Sequence, residues 1–341
     1  MKLTRAALAM TAAGTIGLGV LTMPAGAGAD PSLPPVSAED LVTSVLTAKV
    51  PALAGTVTVH NALGLPALPG VAAPLTQPET TFRVWSDGQG HGRLALPSRG
   101  GEQVLIEDGM TLWRYDSSSR TATALEHGTG PAHQHPPVAD PAQAARELVG
   151  AVRKYSTVTV DGTGTVAGRG VYELVLTPAP TERTLLREVR VAVDSAQRVP
   201  LRLTVLANGS PNPALQIGFS NLTVGAQDPA LFHFTPPAGV TVQRPKHEPM
   251  TGPPPSQHEK PMIHTVGDGW DTVVLGQLPP TQPGAKTDPM ALIQRIGRPA
   301  SGPWGHGWVI QTAVGTVLVT SDGRVAAGAV PQRVLDEALT R

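Results

Sequence analysis

Three groupings in this sequence have residue types that could do chemistry. The loop HGTGPAHQH brings His127, His133 and His135 close together, and a proline-rich stretch repeats HEPM and HEKPM, giving His247, Met250, His258 and Met262. Imidazole and thioether together suit copper in an oxidising compartment. A proline-rich stretch, however, lacks the hydrogen-bonded surroundings that hold a ligand set rigid, so both groups read as polar loops and no metal is expected. The third grouping, GTGTVAG, satisfies G-x-G-x-x-A with Gly162, Gly164 and Ala167. A dinucleotide site needs a helix next, so that its N-terminus meets the pyrophosphate. The next residues are instead RGVYELVLT, which alternate as a strand does, and a glycine-rich hairpin is the reading. Ser220 lies in GFSNL, where Leu222 stands in place of the glycine of a nucleophile elbow. The carboxylates are scattered beside turns. No catalytic residue is nominated, no cofactor is expected, and the chain is read as a binding protein, not an enzyme.

Composition narrows what it binds. Lys plus Arg and Asp plus Glu stand at 26 each, so no bulk field favours nucleic acid. The chain has no cysteine, which excludes disulfides, thiolate metal sites and an anchor lipid on a cysteine thiol. Its 37 glycines and 35 prolines, among Val, Leu and Ala, suggest many short strands separated by turns. Only 4% of residues are aromatic, so Trp113 and Tyr115 in IEDGMTLWRYDSSSRTATA stand out.

The elements that would position a binding site come from pattern. Lys2 and Arg5 precede an apolar run from Ala6 to Met23, then small residues that suit signal-peptidase cleavage near Ala27 or Ala29. Residues 1–29 are read as an export signal, the alternative being an uncleaved membrane anchor, and the protein as extracytoplasmic. Ser37 with Asp40 resembles a capping box before a helix with Leu41, Val42, Val45 and Leu46 on one face. Asp140 and Pro141 open a second helix whose stripe is Leu148, Val149 and Val152. About eleven strands, mostly joined by short Asp-Gly, Asn-Gly or Ser/Gly turns, predict antiparallel hairpins. Asp108-Gly109 reads as a two-residue turn that sets Leu105 opposite Leu112, with Val104, Ile106, Thr111, Trp113 and Tyr115 on the other face. A first domain over 30–243, a proline-rich linker over 244–261 and a small α+β module over 262–341 are expected.

The segments IEDGMTLWRYDSSSRTATA, VYELVLTPAP, EVRVAVDSAQRVPLRLTVL and PALFHFTPPAGVTV resemble, in order and rough spacing, the LolA lipoprotein-carrier family, across about Ser37 to Gln243. DG-x-TLW-x-Y and F-x-FTPP-x-GV are the most diagnostic elements. The composition looks actinobacterial. The resemblance, which extends to LppX-type and RseB/MucB proteins, implies a mainly β, α+β fold: an unclosed, strongly curved antiparallel β-barrel with a helical lid around an apolar cavity for acyl chains. On that basis Leu94, Leu96, Leu105, Leu112, Phe82, Val84, Leu174 and Leu176 are expected to line the cavity, and Leu41, Val45, Leu148 and Val152 to belong to the lid. Trp113 and Tyr115 are then structural, packing outside. The implied partners are the acyl chains of lipids or lipoproteins. RseB/MucB proteins share the added C-terminal domain, which implies instead a membrane protein or anti-sigma factor bound through that module. The chain departs from the carriers at one place: an arginine precedes a proline on an early strand in them, whereas Pro97 follows Leu96 here, leaving only Arg93 or Arg99 in a shifted register.

Overall fold

The computed structural model describes residues 31–65, 76–98, 100–126, 150, 152–244, 263–278 and 289–340. The export signal, Arg99, the histidine loop, the second helix's Asp140, Pro141, Leu148 and Val149, linker residues 245–261 and the His/Met repeat therefore lie outside the described residues. Among the described residues, no helix is long and apolar enough to cross a membrane.

Helix α1 (Ala38–Thr47) leads into β1 (Ala52–Asn61), β2 (Glu79–Asp87), β3 (Gly92–Ser98), β4 (Gly101–Glu107), β5 (Thr111–Asp116) and β6 (Thr121–Glu126). Then come β7 (Ser156–Val166), β8 (Arg169–Pro178), β9 (Leu186–Asp194), β10 (Pro200–Ala207), β11 (Pro213–Val224) and the short β12 (Thr241–Gln243). These strands form one twelve-stranded, curved sheet in the order β12-β6-β5-β4-β3-β2-β1-β11-β10-β9-β8-β7, with β12 and β7 as unjoined ends. Every pairing is antiparallel except that of β12 with β6. The GTGTVAG segment forms the β7–β8 hairpin, whose turn sets Ala167 at φ 49° and Gly168 at φ 75°, the left-handed pair that a two-residue hairpin turn requires.

Because directly opposed residues share a face, the register carries one face across the whole sheet. Val158 lies opposite Leu176, Leu174 opposite Val191, and Tyr172 opposite Val193. Leu203 joins Val191 to Ile217, which lies opposite Val59. Two residues from Val59, Val57 opposes Phe82, and Val84, Leu94 and Leu105 continue the row. Helix α1 packs on this face through Ala38 and Leu41, and we call it the inner face.

The outer face of β3–β6 holds Ala95, Val104, Ile106, Ala122 and Ala124, each buried. Trp113 is opposite Ile106, and Tyr115 opposite Val104. The chain from Pro229 to Gln243 covers them: Phe232 is buried, and Phe234 sets its ring 5.2 Å from Trp113 and 5.5 Å from Tyr115. Arg93, also on this face, donates from Nη1 to the Leu231 carbonyl at 3.3 Å.

The β4–β5 turn differs from the two-residue expectation. Glu107 pairs with Leu112, and Leu105 with Arg114, so the loop is longer. The reason is Asp108, whose Oδ1 accepts from Met110 N at 3.2 Å and Thr111 N at 2.7 Å, building an Asx-type turn that holds the extra residues. The shift equals one side-chain period, so every residue keeps its expected face.

The second sheet comprises β13 (His264–Val266), β14 (Val273–Gln277), β15 (Arg298–Gly302), β16 (Gly305–Gln311), β17 (Thr316–Thr320) and β18 (Arg324–Gly328), in the order β13-β14-β18-β17-β16-β15. Helices α2 (Pro289–Ile296) and α3 (Gln332–Thr340) accompany it. Val334, Leu335 and Ala338 of α3 share a core with Val273, Leu318 and Ala326. This sheet docks on the first. Thr184 Oγ1 and Leu185 N both donate to the Ala329 carbonyl, at 2.7 and 2.8 Å, and Arg183 bridges Asp271 and Glu337 at 3.2 and 2.6 Å.

Asp194, 1% exposed, ends β9. Burial pushes its pKa up, but the Arg169 guanidinium and the Gln197 and Ala196 N–H groups outweigh this and leave it below the ordinary 3.8. A carboxyl with a depressed folded pKa contributes stability above its unfolded pKa and loses it as pH falls through the folded one. Asp194→Asn should therefore cost on the order of 2–3 kcal/mol at neutral pH, with the deficit narrowing below pH 3.8, as urea melts across pH will show. Trp113→Ala should cost about 3 kcal/mol, as removal of a large packed ring does, to be read from the same urea melts.

Candidate functional site

The inner face is covered most closely over β7, β8 and β9. Helix α1 begins at Ser37, whose Oγ accepts from Asp40 N at 3.0 Å and donates to Asp40 Oδ2 at 2.8 Å. Glu39 and Asp40 occupy its first turn, where the helix dipole favours negative charge. Leu41 is fully buried against Val158, Tyr172, Leu174 and Val193. From residues 152–153, which are helical, Arg153 forms an ion pair with Glu39, tying the two covering segments together at their polar edge.

Beneath these segments is a cavity of about 360 Å³, within the range of small-molecule sites. Its walls are Val42, Val45 and Leu46 of α1, Val152, Val158 of β7, Leu174 and Leu176 of β8, and Val191 and Val193 of β9. All nine side chains are aliphatic, so the walls offer neither hydrogen bonds nor charge. Leu46 is 49% exposed, so the cavity opens to the surface beside the C-terminal end of α1.

Of the residues expected at an acyl-chain site, Leu174 and Leu176 line this cavity, with Val45 and Val152 as part of its cover. Leu41 plugs the core beside it. Phe82, Val84, Leu94, Leu96, Leu105 and Leu112 are on the same inner face, but on β2–β5, outside the cavity walls. They are not sealed from water: Leu105 is 37% exposed, and the neighbouring Leu125 is 42% exposed. Among the described residues, the inner face thus runs from a roofed cavity to an open apolar wall.

Sequence reasoning places Val42 and Leu46 on the apolar face of the first helix without naming them as site residues, and does not nominate Val158, Val191 and Val193. The usable signal was alternation in STVTVDG and REVRVAVD, where every second residue is valine. Either phase of a strand could be inward until its register with Leu174 and Leu176 is known. Ser220 Oγ donates to the Thr56 carbonyl at 3.3 Å and accepts from Thr58 Oγ1 at 3.2 Å.

Replacing Ser37 by Ala removes the cap that starts α1 and should cost about 1 kcal/mol. Hydrogen exchange should show the amides of residues 38–41 opening faster, while β8 amides stay protected.

No protein-family model and no curated protein matches the chain. Solved structures do resemble it. A complex of MucA and MucB from Pseudomonas aeruginosa aligns over 89% of this chain and 96% of that one, at 17% identity and a TM-score of 0.47. MucB alone aligns over 88% and 96%, at 18% identity and a TM-score of 0.43. A LolA superfamily protein from Nitrosomonas europaea aligns over 59% of this chain and 99% of that one, at 14% identity and a TM-score of 0.25.

Proposed function

We propose that this chain is an exported, non-enzymatic carrier or chaperone that holds the acyl chains of a lipid or lipoprotein on the inner face of its curved sheet. The observation that carries this reading is the cavity under α1, walled only by valine and leucine. Such walls select by shape and by exclusion of water. Each methylene moved from water into them contributes about 0.8 kcal/mol, and no directional contact is needed. The reacting groups of a hydrolase, a nucleophile with its base, have no counterpart among those nine side chains. The open wall of Phe82, Val84, Leu94, Leu96, Leu105 and Leu112 continues the same apolar face and suits a second chain or a longer one.

A second reading is a regulator that binds a membrane protein, such as an anti-sigma factor, through the module spanning 263–340. It is favoured by β15, which among the described residues ends the order of the second sheet and so presents an edge for strand addition. A pull-down with the extracytoplasmic domains of membrane proteins separates the two, because a carrier retains no such partner.

The central test is mass spectrometry of organic extracts of the purified protein, alongside titration with a fluorescent fatty acid. Bound lipid and saturable uptake are expected. Val191→Phe fills the cavity and should weaken uptake at least about tenfold, with the melting temperature little changed. Lipid-free extracts and no uptake by the unaltered protein would overturn the reading.

A further inference from the structure

The inner face above β7 and β8 has two ends. At one, Tyr172 is 4% exposed, donates its hydroxyl to the Pro34 carbonyl at 2.8 Å and packs with Leu41 in the core that adjoins the cavity walls Leu174 and Val193. At the other, Ser156 and Pro178 form the last pair, one side-chain period beyond the cavity walls Val158 and Leu176. From Tyr172 to Pro178 along β8 is about 20 Å at about 3.3 Å per residue, a span suited to one extended long acyl chain.

That second end is occupied from the other sheet. Trp270, in the turn between β13 and β14, donates from Nε1 to Ser156 Oγ at 2.5 Å, and Ser156 is 5% exposed. The Trp270 backbone N–H donates to Glu182 Oε2 at 2.7 Å. Gly269, at φ 68°, lets the turn come this close: a Cβ there would stand 2.6 Å from Tyr155 Cγ and 2.7 Å from Glu182 Oε2. The Tyr155 hydroxyl donates to Asp268, and Lys154 Nζ lies 3.6 Å from the same carboxylate. The stretch between two cavity walls, Val152 and Val158, is therefore one of the stretches on which the second module is seated.

We propose that Trp270 is the end wall of the acyl-chain cavity and sets the longest chain it accepts, so that the C-terminal module is part of the binding site. This rests on the acyl-chain reading above. An indole seated on Ser156 replaces water at the end of an aliphatic channel with a rigid, largely apolar surface, and its one polar group is already satisfied by the serine.

The test is a series of saturated fatty acids of increasing length, titrated by competition against a fluorescent fatty acid, on the full chain and its variants. For the unaltered protein, affinity should rise with length and then fall sharply. Trp270→Ala should move that fall to longer chains, tightening the first excluded length about tenfold, equivalent to about 1.4 kcal/mol. Trp270→Phe keeps an aromatic wall and should keep the original limit. Gly269→Ala pushes the turn off Tyr155 and should move the limit as Trp270→Ala does, which serves if the alanine variant at 270 does not fold. Saturable binding with the same length profile in Trp270→Ala, or in Gly269→Ala where it is the variant that folds, overturns this inference alone. No binding by the unaltered protein at any length overturns the acyl-chain reading and this inference with it.

Discussion

A sheet with apolar side chains on both faces cannot leave both of them in water, and the rest of this structure depends on how each face is covered. The outer face of β3–β6 is closed by the chain's own continuation, with Phe232 buried and Phe234 against Trp113 and Tyr115. Among the described residues, the inner face is longer than its cover. Helix α1 spans ten residues, about 15 Å at 1.5 Å per residue, and it sits over β7–β9 while the rows continue to β5. Curvature brings the remaining rows toward one another without closing them, because β12 and β7 do not pair. An inner apolar surface that the described residues do not fill is the physical origin of a cavity here.

The cover is held by polar contacts at its edges and touches the cavity only with aliphatic groups. Ser37 starts α1, and Arg153 pairs with Glu39 from the adjoining helical residues. Both contacts are on the water side, where such pairs are worth little individually and exchange readily. The contrast is with Asp194, whose buried carboxylate is held by Arg169 and two backbone N–H groups and fixes the far turn of the same sheet.

The second module adds its own core around Val273, Leu318 and Leu335, so most of its buried apolar residues are covered within the module. Its contacts with that sheet include specific polar ones, with Arg183 between two carboxylates, paired donors on the Ala329 carbonyl, and Trp270 on Ser156, beside an apolar one in which Val314 packs on Leu63, Ala207 and Ala214. The polar contacts set orientation more than they supply binding energy, as suits a module whose position relative to the cavity matters.

Much of this could be read along the chain. Ser37 with Asp40 specified where α1 begins, because a hydroxyl and a carboxylate three residues apart satisfy local N–H groups whatever packs above them. Alternation in MTLWRYD separated Leu112 from Trp113 and Tyr115, and the longer turn at Asp108 left the faces intact, since its shift was one side-chain period. Valine at every second place in STVTVDG and REVRVAVD marked strands with one distinctive face. Tertiary structure alone decided which inner-face residues stand under α1: Val158, Val191 and Val193 join Leu174 and Leu176 there, while Leu94, Leu105 and Leu112 are left on the open wall. Only pairing order places β7 and β9 beside β8. Trp270 was similarly hidden, because nothing local to GDGWD tells that its indole meets Ser156, more than a hundred residues earlier in the chain. Local geometry is written in short-range hydrogen bonds and side-chain period, but the shape and extent of a cavity come from contacts between segments distant in sequence, which no local pattern encodes.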